Sequence, residues 1–561
     1  MLPVSPIRSI CSPRVSRTPT EKRQFKVPTT TKDKPNLDAA IYSNGSTSDS
    51  NTILSDKIGG NTLRKSFSFW SILGVGFGLT NSWCGISASM VAGISTGGCI
   101  VIVYGIIIVA VVSVGVAATL SELTSAIPNA GGQYMWTKML APKKHAPFWA
   151  FLCGQLAWIG SVFTVASMSI SLSTMVISMY TLTHPGFEAK DWHIFVAAEL
   201  IHWFTFLFNC KQTWLPYIAS FALYFSILSW LTISITVLGC SKGEFQPASF
   251  VFKDFNNQTG WSSAGIAFIT GLINPAWSFS CLDSATHMAE EVVAPEVVIP
   301  QAVMSTVAIG FITAFSYVVA MFFCIKDLDQ ILTNSSGFPA LDIYYQVLKN
   351  KGGALVLCAM VFVSLLGCNI QCQTWEQRLC WSFARDNGIL GSKYWSKIDT
   401  KLGVPINAHI FSSVLVSLIL CIYLGSTTAY NSLITGCITF LVLSYAIPTV
   451  FLMMKKRKID HGPFWLGKWG WLANITMLCW ALFVLVFFSF PSVMPAEQNS
   501  MNYSSCATVG VCLYSVIYWF ARGKKHFIMR DEESELHTVR SPFKQIEIIK
   551  SRTCELGQTI V

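Results

Sequence analysis

Apolar runs alternate with short polar segments along most of this chain. Each run is close to the roughly 20 residues that an α-helix needs to cross the hydrocarbon core of a bilayer. The pattern therefore predicts an all-α, polytopic membrane protein with about twelve transmembrane helices. The predicted spans are residues 67–94, 99–121, 147–180, 192–210, 214–240, 262–289, 302–325, 352–375, 405–425, 430–454, 469–490 and 503–521. The long third run allows one tilted helix or a helix followed by an interfacial turn.

Two of these runs carry polar residues in their middle, where a lipid-facing helix tolerates few. GLTNSW at residues 78–83 interrupts the first run, and Asn274 and Pro275 interrupt the sixth. A bilayer offers no water to free backbone groups, so a helix broken at mid-depth must lie inside protein or beside a water-filled cavity. Interruptions at spans one and six predict two inverted repeats of five spans, with two further helices and a substrate site where the breaks meet. For the first run alone, a tight helix crossing on small residues is an alternative.

The composition supports a membrane protein and excludes several other classes. The chain has 561 residues, 52% of them hydrophobic and only 12% charged, with a mean hydropathy of +0.50, which excludes a soluble globular protein of this length. A net charge of +10 does not indicate nucleic-acid binding here, because the basic residues lie in the tails and between apolar runs. Most of the 18 Cys lie in apolar runs without a CxxC pair, and no catalytic motif occurs. We expect no metal site, no cofactor and no enzymatic activity.

The basic residues of the connections predict the orientation. Three alternate connections carry them, and such connections remain in the cytoplasm. Both tails should therefore be cytoplasmic. The residues are Lys138, Lys143 and Lys144; Lys393, Lys397 and Lys401; and Lys455, Lys456, Arg457 and Lys458.

Three regions follow from this pattern: a disordered N-terminal tail at 1–66, a transporter domain at 67–521 and a C-terminal tail at 522–561. In the first tail, Lys residues at 22, 26, 32 and 34 lie among Ser and Thr. This composition suits phosphorylation and contact with the ubiquitin machinery, and a solvated linker is the alternative.

Several longer motifs resemble those of the amino acid, polyamine and organocation (APC) transporter superfamily. They are ELTSAIPNAGGQY at 122–134, DSATHMAEEVVAPEVVIPQA at 283–302 and ARDNG at 384–388. LRKSFSFWSILGVGFGLTNSW, TWEQRLCWSFARDNG and HGPFWLGKWG further resemble the fungal choline and 4-aminobutyrate permease branch, and within it the fungal choline transporters. The resemblance covers about residues 64–522. It departs at Cys84, where an aromatic residue is expected after Trp83.

This resemblance implies a LeuT-like fold of five plus five helices with two more. It also implies a plasma-membrane secondary transporter that imports choline by alternating access, with ethanolamine as a second candidate substrate. A permease for 4-aminobutyrate or another amino acid is the main alternative, and its substrate carboxylate would lie on the freed N–H groups of the first break. A nutrient sensor that binds without transporting is a further alternative.

A choline site needs aromatic faces, because a quaternary ammonium has no N–H to donate. We therefore expect rings and small polar groups from both breaks around the substrate, and the resemblance places a gating aromatic within residues 277–279. Some of these Trp residues could instead be core or interfacial anchors. The candidates are Thr80, Asn81, Ser82, Trp83, Trp158, Trp277, Ser278, Phe279, Ser280 and Asp283.

Asp283 and His287 are the candidates for coupling transport to protons. They are four residues apart, so on a helix they share a face and can pair. An ionisable group inside a span is a functional hypothesis by default, although Asp283 could also serve only to close the helix break. Uptake of a cation could be driven by the membrane potential, by proton symport or by both. The resemblance implies that some proton-coupled relatives place a Lys in span five where a sodium ion would sit, and this device is absent here because residues 214–239 contain no Lys. We expect transport at neutral to acidic pH without a sodium requirement.

Overall fold

The structure, a computed structural model, describes residues 63, 65–333, 337–425, 428–497 and 501–527. The predicted tails therefore lie almost entirely outside the described residues, and their boundaries remain predictions. The described chain consists of helices joined by turns and irregular segments, with one isolated parallel bridge between Phe67 and Val292.

The α-helices follow one another along the chain without any strand between them in the described residues. They are α1 (Phe69–Thr80), α2 (Ser82–Ala88), α3 (Met90–Gly97), α4 (Cys99–Ala126), α5 (Gln133–Leu140), α6 (Ala146–Thr183), α7 (Asp191–Phe208), α8 (Leu215–Cys240), α9 (Ala248–Phe252), α10 (Ala264–Gly271), α11 (Ile273–Ser278), α12 (Pro295–Cys324), α13 (Leu328–Thr333), α14 (Pro339–Leu348), α15 (Lys351–Arg385), α16 (Ser392–Trp395), α17 (Ile406–Leu420), α18 (Thr428–Met454), α19 (Trp469–Phe487), α20 (Ser504–Tyr518) and α21 (Lys524–His526).

Nine helices in the described residues are long and apolar enough to cross a membrane. They are α4, α6, α8, α12, α15, α17, α18, α19 and α20, and they match nine of the predicted spans. The third predicted span is one continuous helix of 38 residues. The other three predicted spans are the two interrupted runs and α7, so the count of twelve stays a prediction.

Two helices extend well beyond their predicted apolar runs. α12 begins at Pro295, seven residues before the predicted start at 302, because a proline at the first helical position loses no hydrogen bond. α15 continues ten residues past 375 to Arg385. Its polar extension is stabilised by Arg378 and Arg385, which pair with glutamates outside the helix. Hydropathy alone does not detect a helix that continues through such residues.

The first run breaks where the sequence predicts. Asn81 adopts the left-handed conformation, with φ of 34°, between α1 and α2. Asn is among the few non-glycine residues that reach this region readily.

The sixth run breaks later than expected. Asn274 and Pro275 lie inside α11, and the helix unwinds after Ser278. Pro275 is the third residue of α11, where a backbone N–H has no partner inside the helix, so it does not interrupt the winding. Residues 279–285 are irregular, Cys281 has a φ of 62°, and a 3-10 turn follows at Thr286–Glu291.

The two interrupted runs pack at the centre of the bundle. α1 packs against α8 and α12, and α11 packs against α2, α4 and α18. α6 and α15 pack against each other, and each also contacts part of the interrupted runs. The breaks therefore face one another inside protein, as predicted, and not toward acyl chains.

Candidate functional site

The first break is fastened to α8 by a short chain of hydrogen bonds. The indole N–H of Trp83 donates to the hydroxyl of Ser226 at 2.9 Å, and that hydroxyl donates to Oδ1 of Asn81 at 2.8 Å. Asn81 and Trp83 are both buried. Their polar groups thus hold the break to a neighbouring helix.

Two glycines let the broken helices approach their neighbours closely. A Cβ on Gly74 would lie 2.5 Å from the carbonyl oxygen of Ala219 in α8. A Cβ on Gly85 would lie 2.9 Å from Oγ of Ser278, on the other broken helix. Only glycine permits such backbone approach, and the contact at Gly85 brings the two breaks together.

The second break is closed by Asp283, which is fully buried. Its Oδ2 accepts a hydrogen bond from Nε2 of Gln133 at 2.5 Å and lies 3.0 Å from Nε2 of His287. Its Oδ1 accepts a hydrogen bond from the hydroxyl of Tyr445. The predicted contact between Asp283 and His287 is therefore present, although they lie on a turn and a 3-10 segment instead of an α-helix.

A small cavity of about 20 Å³ lies between the two breaks. That is room for about one water molecule, so a larger guest requires the surrounding helices to move apart. Four sulfur-containing side chains and one indole dominate its polarizable surface. The lining residues are Leu79, Thr80, Gly85, Thr164, Met168, Trp277, Ser280, Cys281, Leu365, Cys368 and Cys372.

Each hydroxyl group of this cavity uses its proton in a hydrogen bond to a backbone carbonyl. Thr80 donates to the carbonyl of Gly76 at 2.9 Å, Thr164 to Gly160 at 2.9 Å and Ser280 to Trp277 at 2.7 Å. A hydroxyl has one proton and two lone pairs, so each oxygen is left to present a lone pair. The thiol of Cys368 likewise donates to the carbonyl of Leu79, at 2.7 Å. The arrangement favours a positively charged guest over a negatively charged one.

Three of the predicted substrate-binding residues, Thr80, Trp277 and Ser280, line this cavity. The other predicted rings do not. Trp83 packs with its ring 5.3 Å from that of Tyr317, and Trp158 stacks on Phe411 at 5.6 Å and donates to Ser412 at 3.2 Å. Phe279 lines a second small cavity, of about 20 Å³, whose other walls include α4, α18 and α19.

The remaining predicted residues support the breaks from outside the lining. Asn81 bonds to Ser226, and Asp283 and His287 bond to each other. Ser278 donates to the carbonyl of Asn274 at 2.9 Å. Ser82 is fully buried, with its hydroxyl close to Gly310 of α12.

Sequence reasoning named Trp158 of α6 but missed Thr164 and Met168 of the same helix, and it missed the contribution of α15 altogether. Met168 and Thr164 come from α6, and Cys368 and Cys372 come from α15. A usable signal was present in α15, because residues 368–378 read CNIQCQTWEQR in a span that is otherwise apolar. Such a polar run inside a membrane helix indicates a functional face.

Three buried or nearly buried ion pairs lie at the end of the bundle that carries Lys143, Lys393 and Lys455, which we call the basic end. Arg457 donates to both carboxylate oxygens of Glu122, at 2.8 and 2.9 Å. Arg457 is a loop cation between α18 and α19, whereas the other two pairs involve α15: Arg378 with Glu291 at 2.9 Å and Arg385 with Glu290 at 2.7 Å.

Comparison with known proteins identifies the family to which this chain is similar. The family model described as amino acid permease matches residues 67–512. The chain is 57% identical, over 86% of its own length and 86% of the other protein, to the choline transporter of Saccharomyces cerevisiae. It is 36% identical to the 7-keto 8-aminopelargonic acid transporter of the same yeast, over 81% of this chain and 91% of that protein.

Solved structures share the fold at low identity. The crystal structure of MhsT in complex with L-phenylalanine matches with a TM-score of 0.53 at 14% identity, over 76% of this chain and 99% of that one. A mutant of the manganese transporter of Eremococcus coleocola matches with a TM-score of 0.51 at 14% identity, over 83% and 99%. At this identity the likeness concerns the fold alone, which is that of all-α membrane transporters, as predicted. The family match over most of the chain and the 57% identical relative together show that this chain belongs to the amino acid permease family.

Proposed function

We propose that this protein is a secondary transporter that imports choline by alternating access. The observation that carries the proposal is the cavity between the breaks, where one indole and three hydroxyl oxygens with committed protons surround a space free of cationic side chains among the described residues. The 57% identity to the yeast choline transporter supports the same substrate.

Choline fits the chemistry of this lining. Its quaternary ammonium cannot donate a hydrogen bond, so it is recognised by an aromatic face and by the negative ends of dipoles. Trp277 supplies the face, and a cation–π contact of this kind contributes about 0.5 to 2 kcal/mol. Thr80, Thr164 and Ser280 supply lone pairs, and the sulfurs of Met168, Cys281, Cys368 and Cys372 supply polarizable surface.

The lining also ranks the other candidate substrates. Ethanolamine carries an ammonium whose N–H groups could donate to the same three hydroxyl oxygens, so we keep it as a second substrate. The carboxylate of 4-aminobutyrate needs hydrogen-bond donors. In this cavity it would depend on the free N–H groups in the first turn of α2, because the hydroxyl protons are already used.

Choline uptake can be driven by the membrane potential, because a monovalent cation moving inward gains about 2.3 kcal/mol per 100 mV. Proton symport through Asp283 and His287 is the second candidate driving force.

The basic loops support an orientation with both termini in the cytoplasm. The plasma membrane is proposed as the location from the family resemblance. The backbone N–H groups of Ser66 and Phe67 donate to the carbonyl of Glu291 at the basic end. Phe527 packs on Phe151 near the start of α6, which is also at the basic end. These contacts support the same side of the membrane for both termini. The ubiquitin machinery as a partner of the tails stays a prediction, since Lys22 to Lys34 lie outside the described residues.

The test is uptake of labelled choline by cells that lack a choline carrier of their own. We expect saturable uptake that excess unlabelled choline abolishes, ethanolamine reduces and 4-aminobutyrate leaves unchanged. Competition by 4-aminobutyrate but not by choline would replace the substrate and keep the fold. Uptake that disappears when external sodium is replaced by potassium at clamped potential would contradict the expected sodium independence.

A further inference from the structure

One buried acid is left unused by the proposed site. Glu376 lies in α15 and its side chain is fully buried. Among the described residues, neither of its carboxylate oxygens has a hydrogen-bond partner. It differs in this from Asp283, whose two oxygens are contacted by three side chains. An isolated carboxylate in such surroundings takes up a proton, because burying the unpaired charge costs far more than burying the neutral acid.

Glu376 is close to the cavity. It follows Cys372 by four residues on the same helix, so the two side chains share a face and are separated by about 6 Å along the axis. Cys372 lines the cavity. A cation bound in the cavity would therefore lie little more than one helical turn from Glu376, across buried surroundings in which an opposite charge acts over a longer distance than in solution.

The ionisable groups four residues before and after Glu376 on its own helix are the thiols of Cys372 and Cys380, neither of which is a cation. The other ionisable groups on the packed elements are engaged elsewhere. Arg378, on the same helix, is bound by Glu291 and Gln212. His202 contacts Gln373, His409 contacts the carbonyl of Phe206, and the thiol of Cys153 donates to the carbonyl of Ser444. The 3-10 turn carries three more groups, all paired: His287, Glu290 and Glu291. Glu376 thus faces no recorded counter-charge among the described residues, and a cation in the cavity would be its nearest one.

We infer that Glu376 is a proton-binding site linked to the substrate, protonated when the cavity is empty and ionised when a monovalent organic cation occupies it. Binding then exchanges one positive charge for another: the cation enters and the proton of Glu376 leaves to solvent. The inference rests on the proposed function, since it needs a cationic substrate in this cavity. It adds a proton site distinct from the Asp283–His287 pair.

The experiment is calorimetric titration of the purified full-length protein with choline in buffers of different ionisation enthalpy, which counts the protons released per choline bound. Between about pH 5 and pH 8, where the affinity is expected to rise, the native protein should release close to one proton per choline bound. E376Q should release none, whereas E376D keeps a titratable group and should still release a proton. E199Q is the matched control, because Glu199 is a half-buried acid that accepts from Ser417 away from the cavity.

The affinity provides a second readout. The native protein should bind choline more tightly as the pH rises from about 5 to about 8, because Glu376 becomes an available counter-charge. E376Q should show a flat profile and bind about a hundredfold more weakly at the upper end, which is the difference in affinity that a release of close to one proton requires. Choline binding without proton release in the native protein, or proton release that persists in E376Q, would overturn the inference and leave the proposed function standing. A native protein that does not bind choline would instead reject the proposed function.

Discussion

Nε2 of His287 lies 3.0 Å from Oδ2 of Asp283, while Nδ1 of the same ring lies 2.7 Å from the carbonyl oxygen of Ala130. A carbonyl oxygen can only accept, so Nδ1 must carry a hydrogen. A second proton must lie between Nε2 and Oδ2, on one atom or the other, because both would otherwise be acceptors. The two side chains therefore hold one proton between them and close the irregular segment that follows α11.

Replacing Asp283 by Asn should destabilise this closure. The carboxylate accepts from Gln133 and Tyr445 as well as contacting His287, and an amide must turn its NH₂ toward at least one donor. We expect a loss of about 1.5 to 3 kcal/mol for each charged hydrogen bond removed, and lower uptake. Thermal unfolding of the purified protein in detergent measures the first effect, and labelled uptake measures the second. Asp254→Asn makes the same chemical change on an exposed residue and should alter neither.

Trp277→Ala should weaken choline binding, and it should also lower the stability because Trp277 is buried. Loss of one cation–π contact corresponds to about 0.5 to 2 kcal/mol, or about a 2- to 30-fold increase in Kd. Trp277→Phe should recover part of this, because a smaller ring remains. Trp158→Phe serves as the control, since Trp158 stacks on Phe411 outside the cavity lining. An equal loss of affinity in the Trp158 variant would place the substrate elsewhere.

Gly74→Ala should destabilise the packing of α1 on α8. The added methyl group would lie 2.5 Å from the backbone oxygen of Ala219, which cannot move aside as a side chain would. Overpacking of this kind costs about 1 to 3 kcal/mol. Gly78→Ala, one turn along the same helix, meets its first atom only at 3.8 Å and is the matched control. Comparison of the two unfolding temperatures checks the prediction, and equal values would contradict it.

Glu122→Gln should destabilise the basic end. The substitution leaves the guanidinium of Arg457 buried against a neutral amide, and breaking a buried pair from one side costs about 3 to 5 kcal/mol. Glu244→Gln breaks the pair with Lys326, in which Glu244 is 76% exposed, and should cost no more than about 1 kcal/mol. Both are read from thermal unfolding in detergent. A larger loss of stability in Glu122→Gln than in Glu244→Gln is the expected result, and the reverse order would contradict the prediction.

The sequence predicts the breaks because polar residues inside apolar runs are visible in one dimension. It does not predict which face of a broken helix meets the cavity. Trp83 and Trp277 each lie within two residues of a break, yet Trp83 turns toward Ser226, a residue 143 positions away along the chain. That choice depends on helix rotation and on partners from other helices. Cys368 and Cys372 escaped prediction for another reason, since a cysteine inside a span reads as a small apolar residue until a cavity is seen beside it.

The hydroxyl groups of Thr80, Thr164 and Ser280 all donate to helix carbonyls. The cavity is electronegative because of the orientation of these O–H bonds. The empty carrier therefore does not have to keep a charged side chain of the cavity lining away from water. When the empty carrier reorients to expose its site on the other side of the membrane, no fixed charge in the cavity lining therefore has to be neutralised first.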